Sequence, residues 1–517
     1  MSETPAPPNA PIAPPRPVSY AGVFSARRRA ASVEPKINLY PLQTRLFAIG
    51  AIVGAIALAT QDWAIALSLF SLFAMVGASW RIDMVPVIPA CIAFQWVSTS
   101  TAYIFYHNMG YVPGRFYSDA MQEAMILSIA GLAAVTLGFR IAMYLFRNSI
   151  HAKTFQPATD YNIQRLFTLT VMAFAINYVV DIAPKSIWFG GAQIIENLLA
   201  LRFVPYFMLL VATIGRRRHY RYLILATAFV ILPQLLTGFS DFKEILFVIL
   251  IAFLARWRPW IRTKQQAREN WSMVVFGALS AVTLLYMGMV WNGGIKQEWR
   301  DRIWSGVITE SPVERMTMFF EISGRVITKL DMTTAAEQLV ARLTSGEIFL
   351  AQVTERVPST VAHENGGLLW MAVQNAIMPR FLFPNKPNLG GDSWLVRKYA
   401  GVTVAGDESG ASIGLGYMAE FYIDFGVAGV IGLSLFWGLV GGSGVGLLAR
   451  ASPSREIFLA LIIGLLTQLF MSFDGSFIKL FAGFLQRTAI SYVVFIFIGP
   501  SLHRWLTNRR RAPTAVR

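Results

Sequence analysis

The residues of this 517-residue chain best suited to chemistry gather between Val361 and Phe425. The triplet His363-Glu364-Asn365 supplies an imidazole and a carboxylate, two side-chain types that move protons near neutral pH. Arg380 and Lys386 stand among Pro379, Pro384 and Pro387, which force an extended or turning backbone. Arg397 follows, and Glu420, Tyr422 and Asp424 lie where the polar interval meets the next apolar stretch. A carboxylate there is either a helix-terminus charge favoured by the dipole or a general base at the membrane surface. His363 is either a catalyst or an ordinary surface histidine.

Three more charges stand out because their neighbours are apolar. Arg202 sits about ten residues into a greasy stretch, where an arginine costs at least ~2.5 kcal/mol on insertion scales. Such a residue faces a cavity, a substrate or an internal acid such as Glu196. Lys243 opens another apolar stretch, with Asp241 and Glu244 as ready partners for a snorkelling ammonium. Arg487, near the start of the last stretch, has the same plain explanation.

The elements that must position these groups follow from composition. The chain is 55% hydrophobic and 14% charged, with a mean hydropathy of +0.50. Soluble domains carry roughly 25% charged residues, so the chain reads as an all-α, polytopic membrane protein. About twelve stretches approach the ~20 apolar residues that a bilayer core requires. Residues 42–291 hold nine of them and residues 415–502 hold three. Residues 1–41 read as a disordered Pro/Ala-rich tail, and residues 503–517 as a basic tail.

Charge placement orients the spans. Residues Asn292 to Gly410 hold twelve Lys or Arg and thirteen Asp or Glu, so the net charge of +16 resides in tails and short loops. That distribution argues against nucleic acid. Arg81, residues 140–165, Arg216 to Arg221, residues 256–268, Arg450, Arg455 and Arg509 to Arg511 fall on one side if both termini are cytoplasmic. The interval 292–414, between the ninth and tenth spans, then lies outside. Within it, Asp331–Leu343 is amphipathic and continues toward Glu355, and Gly367–Met378 is an apolar helix too short to span. Gly426, Gly429 and Gly432 suit close helix contact in the tenth span. The single Cys91 excludes an internal disulfide. No HExxH, CxxC, Walker or Rossmann pattern occurs, so neither metal nor nucleotide cofactor is expected.

Two pieces are similar to a known family. Ala376–Pro387 (AIMPRFLFPNKP) and Ser412–Gly432 (SIGLGYMAEFYIDFGVAGVIG) together resemble the O-antigen polymerase and ligase superfamily, in particular bacterial Wzy-type oligosaccharide repeat-unit polymerases. Ala419 stands where many relatives carry Gly, and Lys243 where an Arg is common. The resemblance implies a bacterial inner-membrane glycosyltransferase, GT-C-like in architecture, with a large periplasmic loop late in the chain. Its substrates would be undecaprenyl-diphosphate-linked oligosaccharides, with a chain-length regulator and export machinery as partners.

That chemistry needs cations for the departing diphosphate and a base for the acceptor hydroxyl. Arg380, Lys386, Arg397, Lys243 and Arg202 are the basic set it implies. Glu420 is the preferred base and His363 the other candidate. Trp370, Phe381, Trp394 and Tyr422 offer faces for sugar stacking, or anchor the loop at the interface. An O-antigen ligase differs only in its acceptor. A transporter or lipid flippase is the rival from another class.

Overall fold

In the computed structural model the described residues are 40–81, 86–110, 118–183, 192–216, 219–237, 242–254, 264–304, 312–378, 383, 391–406, 412–470 and 474–507. Among them the secondary structure is helical throughout, with no strand. Eight helices among the described residues are long and apolar enough to cross a membrane: Leu42–Thr60, Val87–Met109, Asp119–Leu145, Ile163–Val180, Ile194–Ile214, Val274–Trp299, Tyr417–Ala451 and Phe477–Phe497. The chain is therefore a multi-pass helical membrane protein. The four remaining apolar stretches are also helical, over Trp63–Ser79, Tyr220–Thr237, Phe242–Leu254 and Arg455–Phe470.

Helix Ser118–Leu145 packs backbone to backbone against Tyr417–Ala451. A Cβ on Gly138 would overlap the Leu435 carbonyl, and one on Gly438 would overlap the carbonyl of Val135. Lipid provides no hydrophobic drive between helices, so this close approach and its dispersion gain hold the pair together. The expected contact glycines differ from the observed ones. Gly438 and Gly442 make the approach, whereas Gly426 serves a break described below, Gly429 packs tightly on the Phe421 carbonyl across that break, and Gly432 has no atom near its missing Cβ.

The polar interval is a chain of short helices. The ninth apolar helix runs on through a π turn at Trp291–Ile295, so its candidate span reaches Trp299 rather than ending at 291. Trp299, Val290, Ile295, Met318 and Ile322 form a small separate core. Asp331 caps Met332–Leu343 by accepting from the Thr333 and Thr334 amides, each at 3.2 Å. The continuous helix expected toward Glu355 instead breaks at Thr344. Its hydroxyl turns back to the Val340 carbonyl at 2.7 Å, and a new helix runs Ser345–Arg356. Gly367–Ile377 follows and packs along Phe477–Phe497, the last span.

Candidate functional site

The site is built on a break in a span. Inside Tyr417–Ala451, Phe425 (φ −141°, ψ 17°) and Gly426 (φ 62°, ψ −149°) leave the helical region. The Gly426 conformation is essentially closed to residues with a Cβ, so this glycine sets where the helix interrupts. Carbonyls in the last turn before such an interruption lack helical partners. The Ile423 carbonyl accepts from the Glu364 amide at 3.0 Å and makes a hydrogen bond with His363 Nδ1 at 3.1 Å. A carbonyl oxygen only accepts, so Nδ1 carries a proton and in neutral His363 the basic lone pair is on Nε2.

The same turn supplies a cap. Asp424 Oδ1 and Oδ2 accept from the amides of Leu368 (3.1 Å) and Leu369 (2.8 Å), closing the N-terminus of Gly367–Ile377. Between these attachments Asn365 (φ 49°) and Gly366 (φ 94°) adopt left-handed conformations that reverse the chain. The His-Glu-Asn triplet is thus held from both ends against the broken helix.

Beside His363, Glu364 pairs with Lys398 (Oε1 to Nζ 2.8 Å) and accepts from the Tyr399 hydroxyl. Those two donors hold the Glu364 carboxyl below the usual carboxylate range, and Glu364 in turn raises the Lys398 ammonium. Burial, with the neighbouring carboxylate, pushes the Tyr399 phenol up to about 12. The Tyr422 ring lies 6.1 Å from the His363 ring, centroid to centroid.

The other expected residues are placed differently. Glu420 is only 1% exposed, and its Oε2 accepts from the Phe477 amide at 3.0 Å, at the start of the last span. It lies inside the protein rather than at an open membrane surface. Arg397 turns both Nε (3.0 Å) and Nη2 (2.6 Å) onto the Val404 carbonyl, securing the π turn Val396–Ala400 to the extended segment after it. Arg202 sits mid-span as expected, with its guanidinium 4.7 Å from the Phe203 ring centre and Nη1 donating to the Leu199 carbonyl at 3.2 Å. Arg380, Lys386 and Phe381 lie outside the described residues, as does the Lys243 side chain.

Arg487 is deeper than its sequence position suggested, because the last span begins at Phe477 rather than near 483. Its Nε donates to Asn197 Oδ1 at 3.0 Å, and Asn197 donates to Gln486 at 3.2 Å. Gln486 reaches the Ala376 carbonyl at 3.4 Å, and Asn375 donates to the Ile478 carbonyl at 3.0 Å. This polar chain fastens Gly367–Ile377 to the last span.

His363 and Tyr422 are therefore brought together, with Glu420 one turn away in the interior and Arg397 on the flank. Two participants, Lys398 and Tyr399, escape the sequence reading, and a third, Asp424, receives from it no role beyond its place at the span's entrance. Lys398 and Tyr399 adjoin Arg397, and Asp424 follows Glu420 by four residues, which puts both acids on one helix face. That spacing was the available signal for Asp424.

Residues 84–498 match the family model described as a domain of unknown function, DUF8712. No curated protein and no solved structure matches the chain. The matched region covers well over half of the chain and contains every residue of the site above, so the chain belongs to the DUF8712 family.

Proposed function

We propose that this protein is a membrane glycosyltransferase that polymerises oligosaccharide repeat units, moving a glycan from an undecaprenyl-diphosphate donor to a sugar hydroxyl of another lipid-linked unit. In this reading twelve helices cross the bacterial inner membrane, both termini are cytoplasmic, and residues 292–414 face the periplasm. The observation that supports it most is the Nδ1–H of His363 held on the Ile423 carbonyl, which leaves Nε2 as a base at the edge of the polar interval. An imidazole fixed in one tautomer by a backbone carbonyl is suited to general-base work.

The acceptor hydroxyl gives its proton to His363 Nε2 while its oxygen bonds to the anomeric carbon. The bond from that carbon to the diphosphate oxygen breaks, and the electron pair leaves with the lipid diphosphate. Lys398 remains cationic beside the site, and Arg380 and Lys386 belong to the same interval; fixed cations stabilise such a leaving group. Glu420 becomes a buried anchor in place of the base, since no acceptor hydroxyl reaches a carboxylate that is 1% exposed.

Purified protein in proteoliposomes, supplied with one lipid-diphosphate oligosaccharide, should produce a ladder of products. His363→Ala should abolish the ladder while lowering the melting temperature only slightly, because the Ile423 carbonyl keeps the Glu364 amide. An intact ladder from that variant removes His363 from the mechanism, and transfer only to an added lipid A core acceptor makes the protein a ligase. The burial of Glu420 within a candidate span favours transport as the second reading, because intramembrane acids mark ion paths. Ion flux in liposomes that Glu420→Gln abolishes, without any ladder in the wild type, would establish that alternative.

A further inference from the structure

At one end of the molecule, helix Ser118–Leu145 bends at Phe146 (φ −95°, ψ 11°) and continues as the short helix Arg147–Thr154. That short helix buries Ile150 and Thr154 and exposes Arg147, Asn148 and His151. Phe146 is held in place by Gly446, where a Cβ would overlap its ring. Arg147 lies 4.6 Å from the Tyr144 ring centre. From the other side Arg450 stacks on Phe146 at 4.8 Å and donates to Ser149 at 3.2 Å. Lys153 donates to the Ser452 carbonyl at 2.5 Å. Asp160 and Glu456 are the acids of the adjoining segments, and Glu456 accepts from the Thr159 amide at 3.1 Å.

An apolar strip runs directly into this cationic ledge. Leu137, Ile141 and Leu145 recur every four residues along the same helix, and all are exposed, Leu145 at 71%. At 100° per residue, Arg140 and Tyr144 fall along one edge of that strip, and Arg147, just beyond the bend, lies against Tyr144 on that edge. A surface that offers guanidinium groups beside an exposed hydrocarbon stripe fits an amphiphile. Free phosphate would leave the stripe bare, and a nucleic acid would set it against charge.

We propose that this ledge binds an anionic glycerophospholipid, its phosphate at Arg140 and Arg147 and an acyl chain along Leu137, Ile141 and Leu145. Bidentate guanidinium contacts suit the phosphate, and basic ledges between spans bind anionic headgroups. The site is independent of the proposed glycan transfer.

The test is native mass spectrometry of the delipidated full chain in detergent, titrated with phosphatidylglycerol or with phosphatidylcholine of matched acyl chains. The wild type should retain one phosphatidylglycerol beyond its phosphatidylcholine count. Arg140→Gln and Arg147→Gln should each weaken that retention roughly fivefold, whereas Arg504→Gln, at the same end but off the ledge, should not. Arg140 and Arg147 are exposed, so both variants should melt like the wild type. Equal retention of the two lipids, wild-type retention by the double variant, or displacement of the lipid by inorganic phosphate would each overturn the site.

Discussion

Glu347 and Glu364 belong to the same polar interval, and each carboxylate fastens it, Glu347 to a spanning helix and Glu364 to the interval's own π turn Val396–Ala400, in opposite environments. Glu347 is completely buried, and its carboxylate accepts from the backbone amides of Ala102 (3.2 Å) and Tyr103 (3.4 Å) in the helix Val87–Met109. Its burial pushes the carboxyl up to about 8. Glu364 keeps about a third of its side chain in solvent and sits against the Lys398 ammonium, which pulls its carboxyl the other way. The first is a dry attachment that exchanges nothing with water. The second is wet and adjoins His363, the next residue in the chain. Comparing the two separates what holds the interval from what can perform chemistry.

The largest effect should come from breaking the dry attachment. Glu347→Leu removes two hydrogen bonds between a buried carboxyl and amides of the helix Val87–Met109, each worth about 0.5–1.5 kcal/mol, and thermal unfolding in detergent should show the loss. Its pH dependence has a definite sign. A carboxyl whose folded value is raised from 4.5 to about 8 stabilises the fold fully below the unfolded value. That contribution falls as pH rises through about 8. Glu347→Gln, neutral throughout, should therefore flatten the melting profile between pH 5 and 9 by the ionisable contribution it deletes. An unchanged slope in Glu347→Gln would mean that another group sets the profile.

Next in size is the break that shapes the wet side. Gly426→Ala places a Cβ on a backbone at φ 62°, a strain of about 1–3 kcal/mol. The space itself is adequate, since the added carbon would lie 3.6 Å from His363 Cε1. Any destabilisation therefore reports the backbone alone, and relaxing toward a continuous helix would withdraw the Ile423 carbonyl from His363. Melting and ladder formation should fall together. A fully stable Gly426→Ala variant would show that the break does not depend on glycine.

The wet and dry sides were unequally legible in the sequence. The helical, multi-pass character followed from runs of apolar residues, because lipid forces every backbone polar group into internal hydrogen bonds. The cluster around residues 361–425 followed from polar residues where the chain has few. The break at Phe425–Gly426 did not, because Gly426, Gly429 and Gly432 are spaced like a helix-contact stripe and nothing local distinguishes a packing glycine from a hinge. Glu420 looked like an interfacial base because hydropathy reports depth along a helix and says nothing about which face meets the core. Glu347 stayed hidden in GEIFLAQV for the opposite reason: a charge in an amphipathic segment looks solvated until a neighbouring span closes over it. Lys398 and Tyr399 needed the π turn to swing them onto Glu364.

The smallest effect on stability should follow from cutting the wet attachment, and there the comparison is sharpest. The Lys398–Glu364 pair has 47% and 33% of its side chains exposed, so solvent and salt screen it to about 1 kcal/mol or less. Lys398→Ala should shift the melting temperature little at neutral pH and remove whatever salt sensitivity the pair contributes. Because the Glu364 carboxyl is lowered, the stability from this pair is present above its unfolded value. It is lost only as pH falls through the lower folded one, the reverse of Glu347. If the proposed glycan transfer is the activity, it should nonetheless drop sharply in Lys398→Ala, since a cation beside a departing diphosphate acts on the transition state and not on the fold. A variant that loses stability in proportion to activity would make Lys398 one more anchor, and the distinction between the two glutamates would no longer separate holding from chemistry.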